Sequence, residues 1–231
     1  MPDEKEVYQQ HADRYEALVS REDYQGNILR EIRTLVPLSG KDVIDLGAGT
    51  GRLACLLAPF VRSVYAFDLS ANMLAEARTK LKADGQSNWQ VAVADHRFVP
   101  LPAASVDLVV SGWSVSYLAV WNPANEREEL DGWLGEMKRI LKPDGRVILF
   151  ESLGTGGDTP QQLPHLEATY HWLEENGFSN SWIRTDYHFE TLEQAVDLAG
   201  FFFGEELAGR VRDERLTVLP ECTGVWWRTL D

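Results

Sequence analysis

The sequence is short of several things, and each shortage narrows what it encodes. It has 2 cysteines in 231 residues, Cys55 and Cys222, each isolated from any partner at metal-ligand spacing. That pattern excludes a disulfide framework or a zinc knuckle, and two free thiols in a cytoplasmic protein are the expectation. No apolar run reaches the roughly 18 residues needed to cross a bilayer. The opening MPDEKEVYQQ is acidic and polar and does not read as a secretory signal. Basic residues are outnumbered, 22 Lys and Arg against 36 Asp and Glu, for a formal net charge of −14. The most basic window, RTKLKADG, reads as the solvated face of a helix. Phosphate backbones reward clustered cations, so neither nucleic acid nor a membrane is expected as a partner. There is no internal repeat and no low-complexity tract. The length is that of one domain with a single sizeable core.

What is present is an alternation. DVIDLG, SVYAFD, WQVAVAD, VDLVVSG and RVILFES are short apolar runs with strand character. Between them, RLACLLAPF, SANMLAEARTKLKADG and PANEREELDGWLGEMKRILKPDG read as helices. Ser70 is the expected N-cap of the second, Gly85 its stop, and KPDG ends the third. Strands separated by helices predict a parallel sheet covered on both faces. Past Glu151 the pattern changes. GTGGDTPQQLP reads as a flexible or turn-rich connector, HLEATYHWLEENG as a helix and SWIRTDYHF as a strand. TLEQAVDLAGFFFGEELAGRVR follows as helix and CTGVWWRTL as a final strand. EVYQQHADRYEALV and QGNILREIRTLV, before the first strand, read as helices.

The chemistry concentrates where the first strand meets its helix, in VIDLGAGTGRL. Open parallel sheets bind ligands beyond the carboxyl ends of their strands. The spacing is G-x-G-x-G, and Arg52 stands where a dinucleotide loop has its last glycine. No Lys-Ser or Lys-Thr pair follows, so it is not a P-loop either. Asp45, pointing into the loop, would repel a pyrophosphate and suit an ammonium group. Asp68 ends the second strand about 20 residues after Gly47, the distance expected of an acid that binds ribose hydroxyls. Asp95, ending the third strand, is placed to accept an adenine amino group, with the backbone N–H of His96 meeting a ring nitrogen.

VIDLGAGTGRL, VYAFDLSANML, VAVADHRFVPLP, VDLVVSGWSVSYL and ILKPDGRVILFE together resemble the successive motifs of class I S-adenosylmethionine-dependent methyltransferases. They are most similar to the ubiquinone/menaquinone-biosynthesis type of small-molecule enzyme. The resemblance covers about Val43 to Glu151. It implies an α/β, Rossmann-like methyltransferase fold with a seven-stranded, mostly parallel sheet in the order 3-2-1-4-5-7-6, its last strand antiparallel. It also implies S-adenosyl-L-methionine as cofactor and methyl transfer to a small-molecule N, O or C acceptor. Residues 1–231 then form one domain: a helical cover at 1–40, a cofactor-binding core at 41–151, and acceptor-side helices and last strands at 152–231. Monomer or homodimer is left open. So are a tRNA- or protein-directed methyltransferase and a non-catalytic cofactor-binding protein.

On this reading the cofactor is met by Tyr15, Asp45, Gly47, Ala48, Gly49, Asp68, Leu69, Met73, Asp95, His96, Ser111 and Gly112. Tyr15 comes from HADRYEAL, which resembles the family's closing helix, with Tyr8 the weaker choice. The bland readings are turn glycines, an Asx turn at Asp95, and core packing for Leu69 and Met73. The acceptor is expected against Trp113, Tyr117, Glu151 and Tyr187, with Trp172, Trp182, Trp226 and Trp227 as either pocket walls or ordinary packing. A sulfonium is already an activated leaving group, so positioning and water exclusion carry most of the work. If a base is needed, Glu151 and His96 are the candidates, followed by His165 and the Asp186–His188 pair.

Overall fold

The alternating apolar runs pair into one sheet, whose central strands are buried on both faces and whose edge strand Trp89–Val93 is largely exposed. In this computed structural model, which describes residues 11–230, the strand Asp42–Leu46 (β1) is buried at every position. It pairs in parallel with Ser63–Asp68 (β2) and Val106–Gly112 (β4). Trp89–Val93 (β3) adds to β2, and Leu141–Thr155 (β5) to β4. Ser179–Arg184 (β6) and Glu221–Thr229 (β9) complete the sheet, β9 lying antiparallel between β5 and β6. The order is β3-β2-β1-β4-β5-β9-β6, the expected order with its antiparallel last strand. Tyr187–His188 (β7) and Val218–Leu219 (β8) form a separate two-stranded pair.

Side-chain parity divides the core. Val43 and Ile44, Leu108 and Val109, Ile148 and Leu149 alternate between the two faces, as the period of two requires. One face packs against Asn27–Leu35 (α2), Arg52–Leu57 (α3) and Ala71–Ala83 (α4), through Ile28, Ile32, Leu57, Leu74 and Leu81. The other packs against Glu126–Ile140 (α6) and Glu167–Glu175 (α7), where Trp133 stacks on Phe178 and meets Trp172 edge-on. A third cluster stands apart. Leu18 of Ala12–Val19 (α1) joins Tyr187, Phe189 and Leu219 with residues of Leu192–Phe203 (α8) and Glu205–Asp213 (α9). At the end of the sheet away from the glycine loop, Asp42 binds Arg62, Ser63 and Lys142, and Lys142 also binds Asp107.

Several boundaries differ from the sequence reading. Ser70 does cap α4, accepting from Met73 N at 3.3 Å, and Gly85 follows its end at φ 69°. The long helix starts at Glu126 rather than near Pro123, and a short helix, Ser116–Val120 (α5), precedes it. KPDG does end the helix, but as an irregularity inside β5, with Asp144 at φ 62°. SWIRTDYHF is two strands in two sheets, parted where Arg184 forks the Asp186 carboxylate. The helical stretch of 191–212 breaks at Gly204, φ 92°. The connector after Glu151 is turn-rich but pinned: β5 runs on to Thr155, and Gly156 N donates to Pro220 O at 2.7 Å. Tyr8, and the first part of the N-terminal helix expected there, lie outside the described residues.

Candidate functional site

The loop after β1 is built from three left-handed glycines, Gly47, Gly49 and Gly51, at φ 71°, 53° and 82°. Gly47 has no room for a side chain, since a Cβ there would lie 1.9 Å from Ser114 Oγ. Asp68 braces the loop, with Oδ2 accepting from Gly49 N at 2.9 Å and Oδ1 from Ser70 N at 2.7 Å.

Over this loop, at the carboxyl ends of the parallel strands, lies a cavity of about 560 Å³. Gly47, Gly49, Asp68, Leu69, Met73, Asp95, His96 and Gly112 line it, and Tyr15 of α1, Trp113 and Tyr117 close its other side. Leu69 is 58% exposed, an apolar side chain left uncovered across from buried Met73. Three expected residues do not reach this cavity. Asp45 sits on the α3 side of its strand, 1% exposed, and accepts from Ala54 N at 2.8 Å; it fastens the helix and does not face the ligand space. Burial pushes its carboxyl up to about 7. Ser111 is buried too, its hydroxyl donating to Leu46 O at 2.7 Å, and Ala48 packs into the core beneath the loop. Asp95 lines the cavity, but Arg97 takes both of its oxygens at 2.8 and 2.6 Å and holds the carboxyl below its ordinary value. His96 is 7% exposed, with Nε2 3.4 Å from Ser114 Oγ, and burial depresses its pKa toward the neutral ring.

A second cavity, of about 410 Å³, shares Tyr15, Trp113 and Tyr117 with the first. Glu151 and Tyr187, two of the residues expected against the acceptor, stand on its walls. Glu151 accepts from Ser116 N at 3.1 Å and Ser116 Oγ at 2.8 Å, and burial raises its carboxyl to about 7. Trp172, Trp182, Trp226 and Trp227 line neither cavity. Trp172 is core, donating to Asp131 at 2.9 Å, and Trp226 stacks on Tyr170. The aromatic walls are instead Phe201, Phe202 and Phe203 with Tyr187. Sequence reasoning missed these phenylalanines, together with Glu22, Arg52 and Glu221. The run GFFFG was a visible signal, and Arg52 was legible only as a missing glycine. His165 is on this cavity's wall, whereas Asp186 is held by Arg184 behind it. Trp113 adopts φ 52° between the stacked ring of Phe150 and the Arg52 guanidinium, 4.3 Å from the Trp113 ring centre. Such left-handed non-glycine residues gather at functional sites.

The buried carboxyls make an expected pH response. Asp45 and Glu151, each raised to about 7, and Glu221, raised to about 8 by burial and by Glu22, bind protons more tightly folded than unfolded. Their unfolded values lie near ~4, so stability falls as pH climbs from about 4 to about 8. The depressed His96 opposes this only below its ordinary value near 6.5. The ligand-free protein is therefore expected to melt at a lower temperature at pH 8.5 than at pH 5.5, and Glu221→Gln to flatten that slope. Scanning calorimetry across the range checks it.

The sheet order and the cavity at its strand ends define a Rossmann-like methyltransferase fold, and known proteins agree. The family described as a methyltransferase domain matches residues 44–149. A malonyl-[acyl-carrier protein] O-methyltransferase of Hahella chejuensis is 30% identical over 224 residues, 93% of this chain and 72% of that one. A ubiquinone/menaquinone biosynthesis C-methyltransferase of Rubrivivax gelatinosus is 30% identical over 159 residues; the match takes 64% of this chain and spans 58% of that relative's length. The crystal structure of a SAM dependent methyltransferase from Aquifex aeolicus shares the fold at a TM-score of 0.56 and 18% identity, over 97% of this chain and 93% of that one. The chain belongs to the S-adenosylmethionine-dependent methyltransferase family. Among the described residues, no helix is long and apolar enough to cross a membrane, and no group of His, Cys, Asp and Glu is arranged to hold a metal ion.

Proposed function

We propose that this chain transfers the methyl group of S-adenosyl-L-methionine to a small molecule held in the second cavity. The observation that carries this reading is the pair of cavities meeting along Tyr15, Trp113 and Tyr117. The first is shaped for the cofactor by residues of this chain. Asp68 offers a carboxylate for paired hydroxyls, Leu69 and Met73 offer apolar faces for a purine, and Gly49 keeps the loop low: a Cβ there would reach 3.5 Å from Met73 Cε and 3.8 Å from Tyr15 Cε1. When bound, the cofactor supplies a methyl already activated by a sulfonium. The protein's part is then to align the acceptor and exclude water. Tyr15 and the α1 helix cover the junction, and Trp113, backed by the stacked ring of buried Phe150, gives it an apolar floor. Where the acceptor carries a proton, Glu151 is the base this reading favours over His96, because Glu151 faces the acceptor cavity and His96 the cofactor cavity. The two curated relatives carry C- and O-methyltransferase names, so the methylated atom is not carried over to this chain.

The test is incubation with methyl-labelled cofactor and, separately, a metabolite extract, bulk tRNA and total protein. Label is expected in the low-mass products alone. Label in the tRNA or protein fraction, or none anywhere despite tight cofactor binding, would overturn the reading. A chain lacking residues 1–20 loses Tyr15 and Leu18. It is expected to keep the helix and strand signal of the sheet domain by circular dichroism while turnover drops by ~100-fold or more, the scale of lost positioning and water exclusion.

A further inference from the structure

We propose that the second cavity receives its acceptor as a cationic amine, with Glu221 and Glu22 the carboxylates that meet the ammonium group. This rests on the methyl-transfer reading above and adds the substrate class. Three carboxyl groups stand on the walls, Glu22, Glu151 and Glu221, each less than a tenth exposed. Arg52 is the half-buried cation among them, while His165 stands at the exposed rim. Arg52 is committed to Glu22, Nη1 to Oε2 at 2.5 Å, and to the face of Trp113. That pairing offsets one carboxylate. Glu151 has both oxygens taken by Ser116.

Glu221 is different. Oε1 accepts from Ser152 Oγ at 2.7 Å and the Thr155 hydroxyl interacts with the same carboxyl, but Oε2 meets no donor in hydrogen-bond geometry among the described residues. The Oε1 of Glu22 is likewise without one, and the two carboxyls are close enough to repel each other. A buried acceptor left unmet is costly, so native proteins rarely keep one without a use for it. A ligand that donates hydrogen bonds and carries positive charge answers both oxygens at once. It also relieves the repulsion between the carboxyls, and Tyr187, Phe202 and Phe203 offer ring faces beside it. A carboxylate or phosphate ligand would push these carboxyls further toward their protonated form and gain no ion pair from them. Arg52 Nη2, also without a partner, adds a donor for a neutral oxygen of the same molecule. An ammonium group held at Glu221 leaves the remainder of the ligand to reach the wall shared with the cofactor cavity.

The test is calorimetric titration of the intact protein, first saturated with S-adenosyl-L-homocysteine, near neutral pH. The probes are tryptamine and phenethylamine, their neutral counterparts tryptophol and 2-phenylethanol, and the anion 3-phenylpropionate. Each amine is expected to bind at least ~10-fold tighter than its alcohol, the effect of one charge-assisted hydrogen bond, and the anion weakest. Amine binding is expected to release protons, seen as a dependence of the heat on buffer ionisation, because it draws Glu221 into its charged form. Glu221→Gln should bring the amine-to-alcohol ratio below ~3-fold while the affinity for S-adenosyl-L-homocysteine stays within ~2-fold. Glu22→Gln, should the first variant fold poorly, is expected to lower the ratio in the same direction. Alcohols or the anion binding as tightly as amines overturns the proposal. So does a ratio that survives both substitutions, or the absence of binding by every probe while S-adenosyl-L-homocysteine binds. Failure of S-adenosyl-L-homocysteine itself to bind overturns the underlying methyl-transfer reading.

Discussion

Asp68→Ala is expected to weaken the binding of S-adenosyl-L-homocysteine by ~100-fold or more. Each oxygen of this carboxylate already accepts one backbone N–H, from Gly49 at 2.9 Å and from Ser70 at 2.7 Å. Each therefore keeps a lone pair for one hydroxyl of a ribose. Hydrogen bonds to a charged group contribute ~1.5–3 kcal/mol each. Losing two removes ~3 kcal/mol or more, and ~1.4 kcal/mol is a factor of ten. The same substitution releases Gly49 N, so the loop loses its brace as well. Asp68→Asn keeps one acceptor oxygen and should fall between the two. Calorimetric titration measures the affinities, and circular dichroism checks that the variants are folded. Full affinity in a folded Asp68→Ala protein would take the residue out of the site.

The second large effect is expected at Gly47, and it concerns stability first. The residue sits at φ 71°, and an added Cβ would come within 1.9 Å of Ser114 Oγ and 2.4 Å of Ser114 Cβ. Neither partner is the loose end of a long side chain, so the backbone must move. Overpacking of this kind costs ~1–3 kcal/mol, and the left-handed conformation adds ~1–2 kcal/mol for an L-residue. Gly47→Ala should lower the melting temperature by ~10 °C, at ~2–4 °C per kcal/mol for a chain of this size, and cofactor affinity should fall with it. Two companions separate the terms. Gly85→Ala, at φ 69° with nothing within 4 Å, carries the conformational cost alone. Adding Ser114→Gly to Gly47→Ala removes the clash and should recover that part of the loss. If Gly47→Ala and Gly85→Ala cost the same, the clash is absent.

The fold was largely legible because its signals are local and repeated. β1, β2 and β4 are short apolar runs ended by aspartate or glycine, and the intervening helices carry caps such as Ser70. The cavity over the glycine loop was legible for the same reason, since Gly47, Gly49, Asp68 and Asp95 all stand at strand ends. Asp45 was misread because a strand alternates faces. It shares parity with Val43, which packs on the α3 side, so its carboxylate meets Ala54 N. Asp95 was read without its neighbour two residues on, which claims both oxygens. The second cavity was legible only in fragments. Glu22, Arg52, Glu151, Tyr187, Phe202 and Glu221 come from six separate stretches, and only the fold brings them to one wall. Trp172 drew attention as a large aromatic, yet its helical face turns toward Trp133 and the core.

The attachment of α1 sets how the protein should answer to salt. Besides Leu18, its holds on the rest of the chain include Arg14 to Asp197 at 2.6 Å and Glu16 to Lys80 at 2.7 Å, and just beyond its end Arg21 reaches Glu190 at 2.7 Å. The Arg14 and Arg21 pairs are open to solvent and the Glu16–Lys80 pair is half-buried; exposed pairs contribute ~0.2–1 kcal/mol each and weaken as ions are added. On the methyl-transfer reading proposed above, a cofactor bound in the first cavity is shielded from that screening. Added electrolyte is thus expected to loosen α1 and, on that reading, to leave the transfer step alone. Where product departure limits the cycle, turnover rises with ionic strength; where the transfer itself limits it, turnover stays flat.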